Sequence, residues 1–235
     1  MATQGLGIQV DSEFGFPHLT FTVDATEDPP SNEAIYEMFA NLPADQVNLL
    51  RQTQALFPVG QQMMADILNV IRYGSNPEAS AIEICGMTLD CMEFLAEHGE
   101  TFIGEHIPHE VLKAQRECFV NSSTICSNNA NLTYVEGLAI PPIGRLMHHA
   151  WTTNGKLALY DSKKIYKRAL DYTWVRADYG RYFGMQIPLE VHTKLQSIAP
   201  EWNGGFLHHT VWCKEIKSAL EQVVKAKVAE YALEP

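Results

Sequence analysis

A thiol, an imidazole and a carboxylate can together open an acyl bond. The thiolate attacks the carbonyl carbon, the imidazole carries the proton, and the carboxylate holds the imidazole in one tautomer. This chain carries the three in order: Cys118 in RECFVNSSTIC, His149 in LMHHAW and Asp171 in ALDYTW. Asp161, in KLALYD, is an alternative orienting carboxylate. The alternation in LMHHAW places His149 and Trp151 on one face of a strand, with His148 and Ala150 on the other. An aromatic ring beside a catalytic imidazole would shield it from water. A reactive cysteine belongs at a helix N-terminus, where the macrodipole favours the thiolate. HEVLKAQRE before Cys118 reads as helix, so Cys118 begins a helix only if the chain breaks around Gln115–Glu117. An oxyanion would be held by the Cys118 backbone N–H and a side-chain donor, with Gln115 and Asn121 both in reach by sequence. Glu136 adjoins Gly137 in a strand-like run, and either lines a substrate cleft or faces solvent.

The elements around these residues fall into two textures. Residues 1–30 read as an extended lead-in, with LTFTV at 19–23 as a strand. From 31 to 104 the chain reads as helical. Apolar residues recur at three- and four-residue spacing in NEAIYEMFANL, ADQVNLLRQTQALF, QQMMADILNVIRYG and the long run EASAIEICGMTLDCMEFLAEHG. Met63, Met64, Met87 and Met92 fall on those stripes and read as core packing rather than ligand sites, and Cys85 and Cys91 as buried, inert thiols. From 105 the texture turns to strands: LTYVEGLAI, LMHHAWTT, KLALYD and ALDYTWV, with SKKIYKR as a polar excursion and a short strand near RYFGMQIP. Gly137 inside a strand predicts a bulge or a close backbone approach, and Asn154-Gly155 is the strongest hairpin-turn dipeptide in the chain. An amphipathic C-terminal helix carries Ile216, Leu220, Val223, Val224 and Val228 on one face. Helices first and strands later, without βαβ alternation, predict an α+β fold with an antiparallel sheet. After the lead-in of residues 1–30, the helical region 31–104 and an α+β domain over 105–235 are expected to pack as one unit.

Five blocks in this order resemble a known family. Cys118-Phe119-Val120-Asn121, Tyr134-Val135-Glu136-Gly137, His149-Ala150-Trp151, Asp171-Tyr172-Thr173-Trp174 and Tyr182-Phe183-Gly184 are similar to the transglutaminase-like branch of the papain-like thiol enzymes. More narrowly, they resemble uncharacterised bacterial and bacteriophage proteins with the pattern CYxNA, YVEGYA, HAW, DxTW and YFG; Ser122 stands where that pattern has alanine. The resemblance covers roughly residues 115–190. It implies a cysteine at the start of a helix packed on an antiparallel sheet, with histidine and aspartate from successive strands. It selects Cys118 as nucleophile, His149 as base and Asp171 as orienting residue.

Composition narrows the alternatives. The chain has 235 residues, 46% of them hydrophobic, which is enough for a sizeable core. A net charge of -11 argues against nucleic acid or an anionic membrane as partner. The densest basic patch, Lys163, Lys164, Lys167 and Arg168, reads as a solvated insert. No apolar run approaches the ~18 residues of a membrane span, and the N-terminus lacks the pattern of a signal peptide. Five cysteines without a CxxC pair predict reduced thiols and a cytoplasmic location. Pro108 disfavours a helical metal face from His106 and His109, and adjacent strand histidines diverge, so no metal or other cofactor is expected. No P-loop, GxGxxG or GxSxG is present. The expected activity is thiol-dependent acyl transfer on a protein, peptide or small amide or thioester substrate: a peptidase, amidase or transglutaminase-type transferase. The alternative is a non-catalytic binding or sequestering protein on the same fold, such as a phage counter-defence or regulatory factor.

Overall fold

The strand-like runs after residue 132 build most of one sheet. A computed structural model describes residues 8–13, 16–21, 60–113, 117–140, 146–161, 164–174, 177–198, 205–208, 218 and 221–222. The helices expected over 32–57 and most of the C-terminal helix lie outside these residues, as does Cys213. β1 (Ile8–Glu13) and β2 (Phe16–Phe21) form a separate antiparallel pair. Three helices follow: α1 (Gln61–Arg72), α2 (Pro77–Cys85) and α3 (Leu89–His98). Then come β3 (Glu100–Gly104), α4 (Cys118–Ser127), β4 (Thr133–Ile140), β5 (Met147–Thr153), β6 (Leu157–Asp161), β7 (Lys164–Ala169), β8 (Arg181–Ile187) and α5 (Leu189–Ile198). The architecture is α+β.

Several elements differ from the sequence reading. The single long helix expected after Asn76 is two. Gly86 takes a left-handed conformation, φ 69°, that closes α2. Thr88 then caps α3 by accepting from the Cys91 N–H. Within SKKIYKR, residues 164–168 belong to β7 rather than to an excursion, and β7 ends at Ala169, so Asp171 stands in the loop beyond it. β3, from a stretch read as the end of the helical region, is an inner strand of the sheet. Cys91 is disulfide-bonded, contrary to the expectation of reduced thiols throughout, whereas Cys85, Cys118 and Cys126 are free.

The six-stranded sheet runs β5-β4-β8-β3-β7-β6. Every pair is antiparallel except β3 with β7, which is parallel. The sheet curls until its ends meet. Thr152 and Leu170 exchange two backbone hydrogen bonds, 3.1 and 2.7 Å, joining the end of β5 to the residue after β7. The Arg168 N–H then donates to the Lys156 carbonyl at 3.0 Å, so β5 and β6 together run along β7. Asn154-Gly155 is therefore a kink in one long arm rather than a hairpin. Gly155 has φ 69°, and the Asn154 side chain accepts from the Lys156 N–H.

Closing the sheet separates two apolar regions. Inside lie Phe102, Val135, Ala139, Trp151, Ala169 and Tyr182. Outside, Met64, Ile67, Ile71, Met87, Met92 and Leu95 from the helical half pack with Leu138, Ala150, Phe183 and Ile187 of the sheet in one core. Gly137 marks a close approach, not a bulge. Its register with β5 and β8 is unbroken, and a Cβ there would collide with the Phe183 carbonyl and the Gly184 Cα. Among the described residues no helix is long and apolar enough to cross a membrane.

Candidate active site

The break required before Cys118 is present. A 3-10 turn at His109–Val111 precedes it, and Glu117 takes the N-cap position of α4, so Cys118 is the first helical residue. The backbone N–H of a first helical residue has no acceptor within its own helix, and the macrodipole is positive there. α4 packs across β5 and β4, which brings that end of the helix to His149. Cys118 is buried and hydrogen-bonds the His149 side chain.

His149 comes from the middle of β5 and is 2% exposed. Its Nε2–H donates to Asp171 Oδ2 at 2.7 Å, which leaves Nδ1 for the thiol. Asp171 is fully buried directly after the Thr152–Leu170 closure, so the seam that closes the sheet also delivers the carboxylate. Its two oxygens accept three bonds: Nε2 and the Tyr182 hydroxyl (3.1 Å) at Oδ2, and the Thr173 N–H (2.9 Å) at Oδ1. Burial pulls the imidazole down, but the Asp171 charge and hydrogen bond, with the Cys118 hydrogen bond and charge, outweigh it and raise its pKa to about 10. The ring is therefore an imidazolium at neutral pH. Trp174 stacks on it, with ring centroids 4.0 Å apart and planes 10° from parallel.

Cys118, His149 and Asp171 thus meet. Asp161 ends β6, paired in register with Lys164, and the imidazole's carboxylate position is taken by Asp171. Asn121 sits half-buried in the first turn of α4, while Gln115 lies outside the described residues. The expectations for Glu136 and Trp151 need correction. Glu136 neither lines a cleft nor faces solvent. It is fully buried on the opposite face of the sheet, where Tyr134 Oη, His148 Nε2 and the Phe206 and Leu207 N–H groups donate to it at 2.9, 2.8, 2.9 and 2.6 Å. Trp151 is fully buried inside the barrel, with its centroid 6.3 Å from that of His149. Trp174, not Trp151, covers the imidazole.

Trp174, Thr173 and Tyr182 are the residues that reasoning from local sequence did not assign. The first two lie within three positions of Asp171, so the DYTW block supplies the carboxylate, the N–H that fixes it and the ring that covers its partner. Tyr182 comes from β8, and only the curl of the sheet brings it near. Among the described residues no three His, Cys, Asp or Glu side chains gather as a metal site would. Comparison with protein-family models, curated proteins and solved structures finds no match to this chain.

Proposed function

We propose that this chain is a thiol-dependent acyl-transfer enzyme of the papain-like, transglutaminase-like kind, acting on an amide or thioester. The observation that carries the proposal is one imidazole with two partners: the buried Asp171 carboxylate at Nε2 and the thiol of a helix-N-terminal cysteine. In the first step the Cys118 sulfur bonds to the carbonyl carbon. The oxyanion forms next to the first turn of α4, whose backbone dipoles favour negative charge. The carbon–nitrogen or carbon–sulfur bond then breaks, and His149 gives its proton to the leaving group. A water molecule, or an amine in a transferase, next loses a proton to His149 and attacks the acyl-enzyme, releasing the acid or new amide and the free cysteine. Asp171 keeps Nε2 protonated throughout, which presents Nδ1 to the reacting atoms. Such chemistry requires Cys118 as a free thiol, as it is here beside a disulfide-bonded Cys91.

The test is iodoacetamide labelling near neutral pH, with the modified cysteine located by peptide mass spectrometry. Burial pushes the Cys85 and Cys126 thiols up to about 12, so neither competes. Cys118 is expected to label first, and His149→Ala to slow it by an order of magnitude or more. A Cys118 that labels no faster than Cys126, or at the same rate without His149, overturns the proposal.

A further inference from the structure

Asp171 Oδ2 serves two donors at once. The His149 Nε2–H reaches it at 2.7 Å and the Tyr182 hydroxyl at 3.1 Å. The hydroxyl has a single proton and a second acceptor in range, the Ala177 carbonyl at 3.4 Å. That carbonyl already accepts from the Gly180 N–H at 2.9 Å. The longer contact is the weaker one, so the Tyr182 proton goes to the carboxylate.

The fold sets this arrangement. Tyr182 is fully buried, and the rings of Trp151 and Trp174 pack on it with centroids 5.1 and 5.7 Å away. A Cβ at Gly180 would stand 2.7 Å from Oη, so a glycine there leaves room for the hydroxyl. Burial, then the Asp171 charge and hydrogen bond, hold the phenol well above its ordinary pKa, so it remains a neutral donor.

The consequence runs through the carboxylate. A donor stabilises carboxylate charge. That help counts for more when the imidazole is neutral, because the charge then lacks its cation. The hydroxyl therefore favours the neutral ring and opposes the pull of Asp171 on the His149 proton. In the proposed reaction His149 must give a proton to the leaving group, and a carboxylate that held the imidazolium too firmly would slow that step.

We propose that Tyr182 is a positioning residue that shares Asp171 Oδ2 with the imidazole and so limits how firmly the carboxylate holds the His149 proton. The proposal deepens the reading of Cys118, His149 and Asp171 as a triad and rests on it. The titratable groups that act on the imidazole are Asp171, from the loop after β7, and Cys118, from α4. Asp178, in the 3-10 turn Ala177–Tyr179, acts on the phenol together with Asp171.

The experiment is Tyr182→Phe in the full chain, which removes one oxygen and keeps the buried ring. His149 is followed by NMR in two ways: its titration, and the position of its Nε2 proton near neutral pH. The titration should move up by about half a unit, roughly a third of what one hydrogen bond to a charged group is worth. The Nε2 proton should move further downfield as its bond to Asp171 tightens. A phenol that merely braced the loop would give the opposite result, because a looser Asp171 lowers the titration and moves the proton upfield. That result, or no change in either signal, overturns the proposal. Where the chain unfolds before the titration is complete, the proton position decides. Tyr182→Phe added to Asp171→Ala should leave the His149 titration where Asp171→Ala alone puts it, since the hydroxyl acts through the carboxylate; a further upward move there also overturns the proposal. Failure of the triad is read separately, as slow iodoacetamide labelling of Cys118 in the parent, and leaves the comparison of His149 signals intact.

Discussion

His148 and His149 are neighbours on one strand, and each binds a fully buried carboxylate, yet the two pairs have different surroundings. His149 faces the barrel interior, and its Nε2 meets Asp171 at 2.7 Å. His148 faces the outer core, and its Nε2 meets Glu136 at 2.8 Å. Asp171 spends its other bonds on Tyr182 and the Thr173 N–H, both of which fix the carboxylate itself. Glu136 spends its own on Tyr134 and on two backbone N–H groups 70 and 71 positions away, which ties a distant turn to the sheet. The second nitrogen of His149 meets a thiol at a helix N-terminus, whereas the ring of His148 packs on Phe119. A histidine–carboxylate pair is thus not a site in itself. In the proposed reading, the thiol beside His149 is what separates a pair that moves protons from one that ties the chain together.

Removing each carboxylate separates the two roles. Asp171→Ala should give the larger chemical effect. The imidazole, still buried, loses the charge that raised it to about 10, and burial then pulls its pKa down. Labelling should slow by about an order of magnitude, as in His149→Ala, any turnover should fall by roughly 10²- to 10⁴-fold, and titration of His149 by NMR should show the downward move. An imidazole that still titrates near its original value would mean that Asp171 is not its charge partner. The sign for stability follows from the same shift. A histidine raised from 6.5 to about 10 contributes stability that is complete below pH 6.5 and lost as pH climbs towards 10. Asp171→Ala should flatten that alkaline loss.

Glu136→Ala should do the reverse. It leaves His148, the Tyr134 hydroxyl and two backbone N–H groups without their acceptor. Breaking a buried pair in this way costs about 3–5 kcal/mol, to be read from denaturant unfolding. The iodoacetamide rate of Cys118 in the folded fraction should stay close to that of the parent. A stable Glu136→Ala protein with a slow Cys118 would erase the distinction between the pairs.

The elements that local sequence reveals are those that local forces set. Alternation marks β5, and the 3.6-residue stripe marks α1. The grouping of Cys118, His149 and Asp171 came from the resemblance of five blocks; local sequence alone left Asp161 beside Asp171 and made Cys118 depend on a helix break. The closure of the sheet was not legible. Asn154-Gly155 has the composition of a hairpin turn, but β5 and β6 share one partner, β7, and only that long-range pairing turns the dipeptide into a kink. The charged residues of KIYKRA hid β7 because its cations are paired across the sheet: Lys167 with Glu100 and Arg168 with Glu105, each at 2.8 Å. Glu136 was misplaced for the same reason. A carboxylate in a strand reads as surface or site until the donors from a distant turn are known.

His192 on α5 supplies the smallest and most separable effect. It is fully buried between the rings of Tyr134 and Phe206, with centroids 4.7 and 5.3 Å away. Neither of its ring nitrogens has a hydrogen-bond partner among the described residues. Burial lowers its pKa from 6.5, and the nearby Glu136 charge offsets only part of that. A depressed histidine contributes stability that is complete above pH 6.5 and lost as pH falls towards the lowered value, opposite in sign to His149. His192→Phe keeps a ring between two aromatic neighbours and removes the group that must be charged in acid. The variant should match or slightly exceed the parent near pH 7 and lose less stability than the parent between pH 6.5 and 5. Comparing Tm across that range checks it. An unchanged acid limb in His192→Phe would place the acid sensitivity in the carboxylate pairs, and the contrast between the two faces of β5 would then lie in their chemistry alone.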